Sequence, residues 1–277
     1  MIQKKGIILI FFILPFYTFS QYNEKIGSGR PGVANGPFGV GKKIYQVQTG
    51  FRFSESNVGT PFVNNTNKTF DNSTIFRIGL FEKTEVRASA QYNIRDQFKA
   101  ENSLFPQHIS DPASKLETVQ NGISNWNLGI RQNLSEQKNI IPALGIQLTA
   151  LFGGLKNYKT EAVAYQLRLL LQHKIAKKLV LNTNLTATTK TESLSYTFSL
   201  NYPISPTLRV VGEMYGIKYF NNANFKTQIT NNFDLGIGYW LSNNLQLDLF
   251  GGFGYNGATF RSKFISTGLS YRINRRS

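Results

Sequence analysis

Residues 233–254 read FDLGIGYWLSNNLQLDLFGGFG. Phe233, Leu235, Ile237, Tyr239 and Leu241 recur at every second position, and Asp234, Gly236 and Gly238 stand between them. Alternation of this kind is the mark of a β-strand with two unlike faces. The LSNN run that follows is a turn, after which a second alternating segment begins and places Asp248 on its polar face. One face of this hairpin suits lipid and the other suits water, the pattern of a transmembrane β-barrel wall.

The same pattern extends through the chain. ISNWNLGIRQNL at 123–134 sets Trp126, Leu128 and Ile130 against Asn127, Gly129 and Arg131; near residue 200, Tyr196, Phe198, Leu200 and Tyr202 oppose Thr197, Ser199 and Asn201. Twelve such segments are predicted, at about 44–54, 72–81, 84–93, 124–134, 141–151, 162–174, 178–188, 193–203, 207–219, 231–241, 245–254 and 260–274. FEKT, SEQKN, AKK, ISPT and LSNN make short turns after the even segments, whereas the odd segments are followed by more variable links that include 55–71, 94–123 and 220–230. Short periplasmic turns facing longer external loops belong to outer-membrane barrels; a soluble β-sandwich has no reason to sort its loops by length. An even strand number brings both termini to the periplasmic side. The fold expected is an all-β, antiparallel up-and-down transmembrane barrel of about twelve strands spanning 44–274, in the outer membrane of a Gram-negative bacterium.

Aromatic positions agree with this topology. Tyr45, Tyr202, Tyr239 and Tyr271 fall on the apolar face at expected periplasmic ends, and Phe53, Tyr92, Trp126, Tyr165, Tyr196 and Phe233 fall on it at expected external ends. Two interfacial girdles result. Aromatics favour strands in general, but that preference alone would scatter them over both faces.

The chain begins with Lys4 and Lys5, an apolar run from Gly6 to Phe19, and small residues Thr18 and Ser20 before Gln21. This is expected to be a secretory signal peptide, residues 1–20, because the run is shorter than the ~20 residues a membrane-spanning helix needs. The chain contains no cysteine, which excludes a lipoprotein anchor, disulfides and thiolate metal sites. Residues 1–20 hold two lysines and no acid, so a formal charge of +16 becomes +14 for the mature chain. In a soluble protein such a charge would suggest nucleic acid, but here the arginines are spread along the strands instead of forming one patch.

Parity places Arg52, Arg77, Arg87, Arg131, Arg168, Arg209 and Arg272 in the lumen, with Glu85, Glu213, Asp234 and Asp248. An arginine facing lipid near mid-bilayer costs ~2–4 kcal/mol, so inward placement is expected of any barrel. These charges either pair with one another and with Gln46, Gln48, Gln91, Gln147, Gln166 and Asn182 to fill the bore, or leave an electropositive channel for polar or anionic solutes. Ahead of the first strand, residues 21–43 include GSGRPGVANGPFGVGKK, too rich in Gly and Pro for a helix or central strand; this is a leader or a small plug entering the bore. Its glycines lack the strand and helix that a phosphate-binding loop needs. The two histidines, His108 and His173, have no recognisable serine and acid companions, so neither catalysis, a metal site nor a cofactor is expected.

RPGVANGPFGVGKKIYQVQTGFRF at 30–53 resembles the opening of the outer-membrane transporter family named after the meta-cleavage pathway of phenol degradation. Similar elements are the strand and turn from Arg77 to Glu85, ISNWNLGIRQNL, PALGIQL at 142–148, Glu213 with Tyr215 and Gly216, the hairpin at 233–254 and FISTGLSYRI at 264–273. Gly32, Val33 and Ala34 stand where the family usually carries acidic residues after Arg-Pro, and the chain runs on into a short tail at 275–277. The resemblance implies a transporter whose solute the family name does not fix. The expected function is passive passage of small polar, anionic or aromatic solutes; the alternative is a non-conducting structural or adhesive barrel whose external loops bind. Expected partners are outer-membrane lipid and the barrel-assembly machinery, the latter through a C-terminal signal resting on Tyr271 and Ile273.

Overall fold

The alternating segments close into one barrel. The computed structural model describes residues 25–59, 63–101, 116–155, 158–159, 163–220, 229–256 and 260–274. Its strands are β1 (Ile44–Gly59), β2 (Val63–Phe81), β3 (Thr84–Glu101), β4 (Leu116–Ser135), β5 (Ala143–Gly153) and β6 (Ala164–Lys174), followed by β7 (Val180–Thr188), β8 (Ser193–Pro203), β9 (Leu208–Tyr219), β10 (Ile229–Ser242), β11 (Leu245–Asn256) and β12 (Phe260–Asn274). Each pairs antiparallel with its sequence neighbours, and β1 closes on β12 from Ile44↔Asn274 to Val58↔Phe260. Closure leaves no open sheet edge, the condition for a β-structure in lipid. The signal peptide, His108 and the 275–277 tail lie outside the described residues.

The faces follow the sequence parity. Leu235, Ile237 and Tyr239 point outward and are exposed, while Asp234, Gly236 and Gly238 are buried inside. Trp126, Leu128 and Ile130 lie outside, and Arg131 and Asn133 within. In a water-soluble protein so many exposed Leu, Ile and Phe would be anomalous; around a barrel they form the lipid-facing surface.

Two of the expected long loops are mostly strand. Residues 55–59 and 63–71 belong to β1 and β2, and 94–101 and 116–123 to β3 and β4; the ladder runs unbroken from Tyr45↔Ile78 to Gly59↔Asn64. Beyond the lipid boundary neither face needs to be apolar, so period two in hydrophobicity stops while backbone pairing continues. β4 has 20 residues against 9 in β7. At ~3.3 Å per residue and a tilt of about 40°, β4 rises about 50 Å, roughly twice the ~25 Å apolar band. The β1–β4 side of the wall therefore projects beyond the membrane. At the opposite rim, β-bulges at Gly79/Phe81, Asn133/Ser135 and Trp240/Ser242 precede short turns, as is common at barrel rims.

Candidate functional site

The bore is occupied along part of its length by residues 25–43. This segment starts beside the β10–β11 turn, where the Ile26 amide donates to the Asn243 carbonyl at 2.7 Å and Trp240 Nε1 donates to the Ile26 carbonyl. It passes β12 and β1 through Ser28, whose hydroxyl is 2.7 Å from that of Ser270 and accepts from Gln48 Nε2. At β11, Arg30 forks onto Asp248, with Nη2 2.9 Å from Oδ1 and Nε 3.1 Å from both oxygens. At β9, Glu213 accepts from the backbone amides of Val33 and Ala34. At β7, Asn35 and Asn184 exchange two bonds of 2.8 Å between backbone and side-chain amide. The Val40 amide then donates to Glu85 on β3, and the Lys43 amide to the Gly79 carbonyl on β2. The segment makes one circuit of the inner wall before becoming β1.

A chain without its own secondary structure must satisfy its backbone groups elsewhere. Here the wall supplies them: Gln246 and Arg209 both donate to the Arg30 carbonyl, and Gln46 and Arg77 to that of Gly27. The wall also makes room. Gly50 and Gly268 flank the Arg30 guanidinium so closely that a Cβ at either would come within 2.6 Å of it. Between the segment and the wall lies a cavity of about 530 Å³, bordered by Arg77, Arg131, Gln172, Asn182, Arg209 and Glu213.

Arg77 is bidentate with fully buried Glu85, at 2.9 and 2.7 Å. Arg52 lies 3.9 Å over the Phe264 ring, which meets Phe250 edge-on, and Arg30 covers Phe250 in turn. Arg209 donates to the Ser28 and Arg30 carbonyls and faces the Trp240 ring. Arg272 holds the β10–β11 turn through Asn244 Oδ1 and the Asn243 carbonyl. Asp234 stands directly opposite Glu213 across the β9–β10 ladder. Arg131, 2% exposed, donates to Gln147 Oε1, to Asn35 Oδ1 and to the Phe38 carbonyl. Arg87 donates to the same Gln147 oxygen at 2.8 Å, and Arg168 to Thr186 and Gln166.

Of the ten aromatic girdle candidates, Tyr45, Phe53, Tyr92, Trp126, Tyr165, Tyr202, Tyr239 and Tyr271 are exposed on the outer surface. Tyr196 and Phe233 are half-buried against Phe198 and Phe253, and Trp126 stacks on Phe152 at 4.0 Å. His173 is half-buried on β6, and among the described residues no three His, Asp or Glu side chains cluster to hold a metal ion.

Sequence parity did not single out Arg30, Trp240, Phe250 or Phe264. The last three occupy inward positions by the same alternation that placed the arginines, and a large aromatic at such a position was the available signal for a filled bore. Arg30 lies outside every strand, so parity could not reach it.

A sequence model of the family described as "Putative MetA-pathway of phenol degradation" matches residues 28–273. No curated protein matches the sequence. Among solved structures, the COG4313 outer membrane channel from Pseudomonas putida F1 is 10% identical with a TM-score of 0.61, covering 90% of this chain and all of that one. The translocator domain of the autotransporter NalP from Neisseria meningitidis is 12% identical with a TM-score of 0.52, over 83% of this chain and 88% of that chain. The NanC porin is 11% identical with a TM-score of 0.50, over 82% and 98%. At these identities the likeness is one of fold: the chain is a closed twelve-stranded barrel of the Gram-negative outer membrane.

Proposed function

The chain belongs to the family described as "MetA-pathway of phenol degradation", and from that premise and the geometry of its bore we propose that it is a passive channel for small solutes, narrowed by its own residues 25–43. The observation that carries this reading is the polar, charged inner wall with an unfilled cavity of about 530 Å³ beside the segment. A wall meant only to hold the barrel shut would be packed, since close-packed interiors leave few voids larger than a water molecule. Twelve strands enclose a bore between the filled eight-stranded barrels and the open channels of 16 to 18 strands. Sidedness follows from the turns: the short connections, the start of β1 and the end of β12 face the periplasm, and the tall β1–β4 wall faces outward. Transport here needs no catalytic group, and insertion relies on lipid and the barrel-assembly machinery, with Tyr271 and Ile273 in the last strand as the signal.

The circuit of the bore by residues 25–43 favours a second reading, a closed barrel whose external surface does the binding. Planar-bilayer recording of the purified mature protein decides between the two. Discrete conductance steps, smaller than those of a 16-stranded porin, are expected. A silent barrel under all voltages and salts would leave the second reading standing.

A further inference from the structure

We propose that Arg87, Arg131 and Arg168 form a binding site for the carboxylate of a small organic anion on the β3–β6 wall. The inference deepens the channel reading by naming a solute class, and it rests on an imbalance of charge that the rest of the bore does not share.

Most lumen arginines are committed. Arg30 is paired with Asp248, Arg77 with Glu85, Arg52 is seated on Phe264, Arg209 on backbone carbonyls, and Arg272 on the β10–β11 turn. Three remain. Arg131, Gln147, Arg168 and Thr186 stand in one row across β4, β5, β6 and β7, each opposite the next in the ladder. Arg87 joins them through Gln147, whose single oxygen accepts from Arg87 Nη1, Arg131 Nε and Arg131 Nη2 at 2.8, 3.2 and 2.9 Å. Every hydrogen-bond acceptor of these three guanidiniums is neutral. The nearest acid, Glu85, already accepts both forks of Arg77 and the Val40 amide. Four guanidiniums thus share one carboxylate on this wall.

Buried like charges without a counter-ion are costly, because the surrounding low dielectric weakens neither their repulsion nor their loss of water. A neutral amide occupies the position where a carboxylate would ordinarily stand. The charge deficit can be met by an anion from solution. A planar carboxylate suits it best, since its two oxygens match the guanidinium fork and since one sp² oxygen of Gln147 already bridges two of the arginines. Arg168 is the least buried of the three, and Arg131 with Phe38, whose carbonyl it touches, lines the adjoining cavity.

The test is calorimetric titration of the detergent-purified mature protein with sodium benzoate and, separately, with inorganic phosphate. Saturable benzoate binding that weakens with added chloride is expected, with phosphate binding at least tenfold weaker. Gln147→Glu installs the missing carboxylate in place; it should raise the unfolding temperature and abolish benzoate binding. Arg168→Gln should weaken binding at least tenfold, and Arg168→Lys should recover part of it, charge without the fork. Benzoate binding unchanged in folded Gln147→Glu, or phosphate binding as tightly as benzoate, would overturn the proposal. Calorimetry reads binding whether or not the bore conducts. A silent barrel that binds benzoate would remove only the channel reading; a conducting barrel that binds none would remove only this site.

Discussion

Arg30 and Asp248 are separated by 218 residues in the chain and by 2.9 Å in the structure, and they form a buried ion pair between the inner segment and the wall. Asp248 is fully buried at its side chain, so its charge depends on this partner. Removing one member of a buried pair typically costs ~3–5 kcal/mol by stranding the other. Here the cost falls on the closed arrangement, since the barrel ladder does not include Arg30. Arg30→Ala is therefore expected to free the segment, raising single-channel conductance while leaving heat-modifiable barrel migration on gels unchanged. Asp248→Asn should do the same, and the double variant should add little to either. Gly268→Ala provides an independent route, because its Cβ would come within 2.6 Å of the guanidinium. Conductance no higher than that of the unsubstituted protein in all four variants would mean that the pair does not gate the bore.

Glu213 sets the second attachment. It accepts from two consecutive amides, Val33 and Ala34, beside Gly32, which adopts φ +98° and leaves no space for a Cβ against the Glu213 carboxylate. Bonds to a charged acceptor contribute about 1.5–3 kcal/mol each. Glu213→Gln keeps one acceptor oxygen and loses the charge. Amide exchange at Val33 and Ala34 should then accelerate by at least tenfold, whereas exchange at Leu235 and Ile237 in β10 should not change. Gly32→Ala should accelerate the same two amides by distorting the turn. Protection that survives both substitutions would show that the wall contacts at Arg30 and Asn35 hold the segment alone.

The alternation at Leu235 and Gly236 made the wall legible because a strand between lipid and water must declare its two faces in every second residue. The upper halves of β2 and β4 carry no such declaration: at Asn67, Thr69 or Gln120 both faces meet water, and only the backbone ladder shows that the strand continues. Residues 25–43 were legible as irregular but not as a circuit of the bore, since their partners come from nine strands and no local period encodes a closure. The inward arginines could be named one by one. Which of them is neutralised could not, because Arg77 meets Glu85 across one turn while Arg87 and Arg131 meet a glutamine from β5, a distinction set by register and side-chain reach.

The outer surface makes its own prediction. Leu148 stands outward at the middle of β5 between inward Gln147 and Thr149, and is half exposed to what would be lipid. Leu148→Arg should destabilise the folded barrel by about 2–4 kcal/mol in reversible urea titrations from lipid vesicles, the depth-dependent cost of a cation near mid-bilayer. Leu194→Arg, next to the β7–β8 connection at the far rim, should cost about 0–1 kcal/mol. Equal costs at the two positions would place the membrane boundary elsewhere on the wall.

Selectivity follows from the unneutralised arginines. A narrow bore with charges of one sign on a low-dielectric wall focuses potential and concentrates counter-ions. Arg87, Arg131 and Arg168 supply that excess on the β3–β6 side, while the acids on β9, β10 and β11 sit beside Arg30, Arg52 and Arg209. A modest anion preference is expected in a salt gradient, weakening as salt rises because the Debye length falls from ~10 Å at 0.1 M to ~3 Å at 1 M. Arg168→Gln is the cleaner substitution, since Arg131 also holds Asn35 and the Phe38 carbonyl and its loss would move the segment as well as the charge. The reversal potential of Arg168→Gln should shift toward cations at unchanged conductance, and that of the Arg131→Gln, Arg168→Gln pair should shift further with conductance increased. If the reversal potential stays fixed in both while current still flows, ions pass along the β9–β11 side, where the charges are balanced, and the arginine row does not face their path.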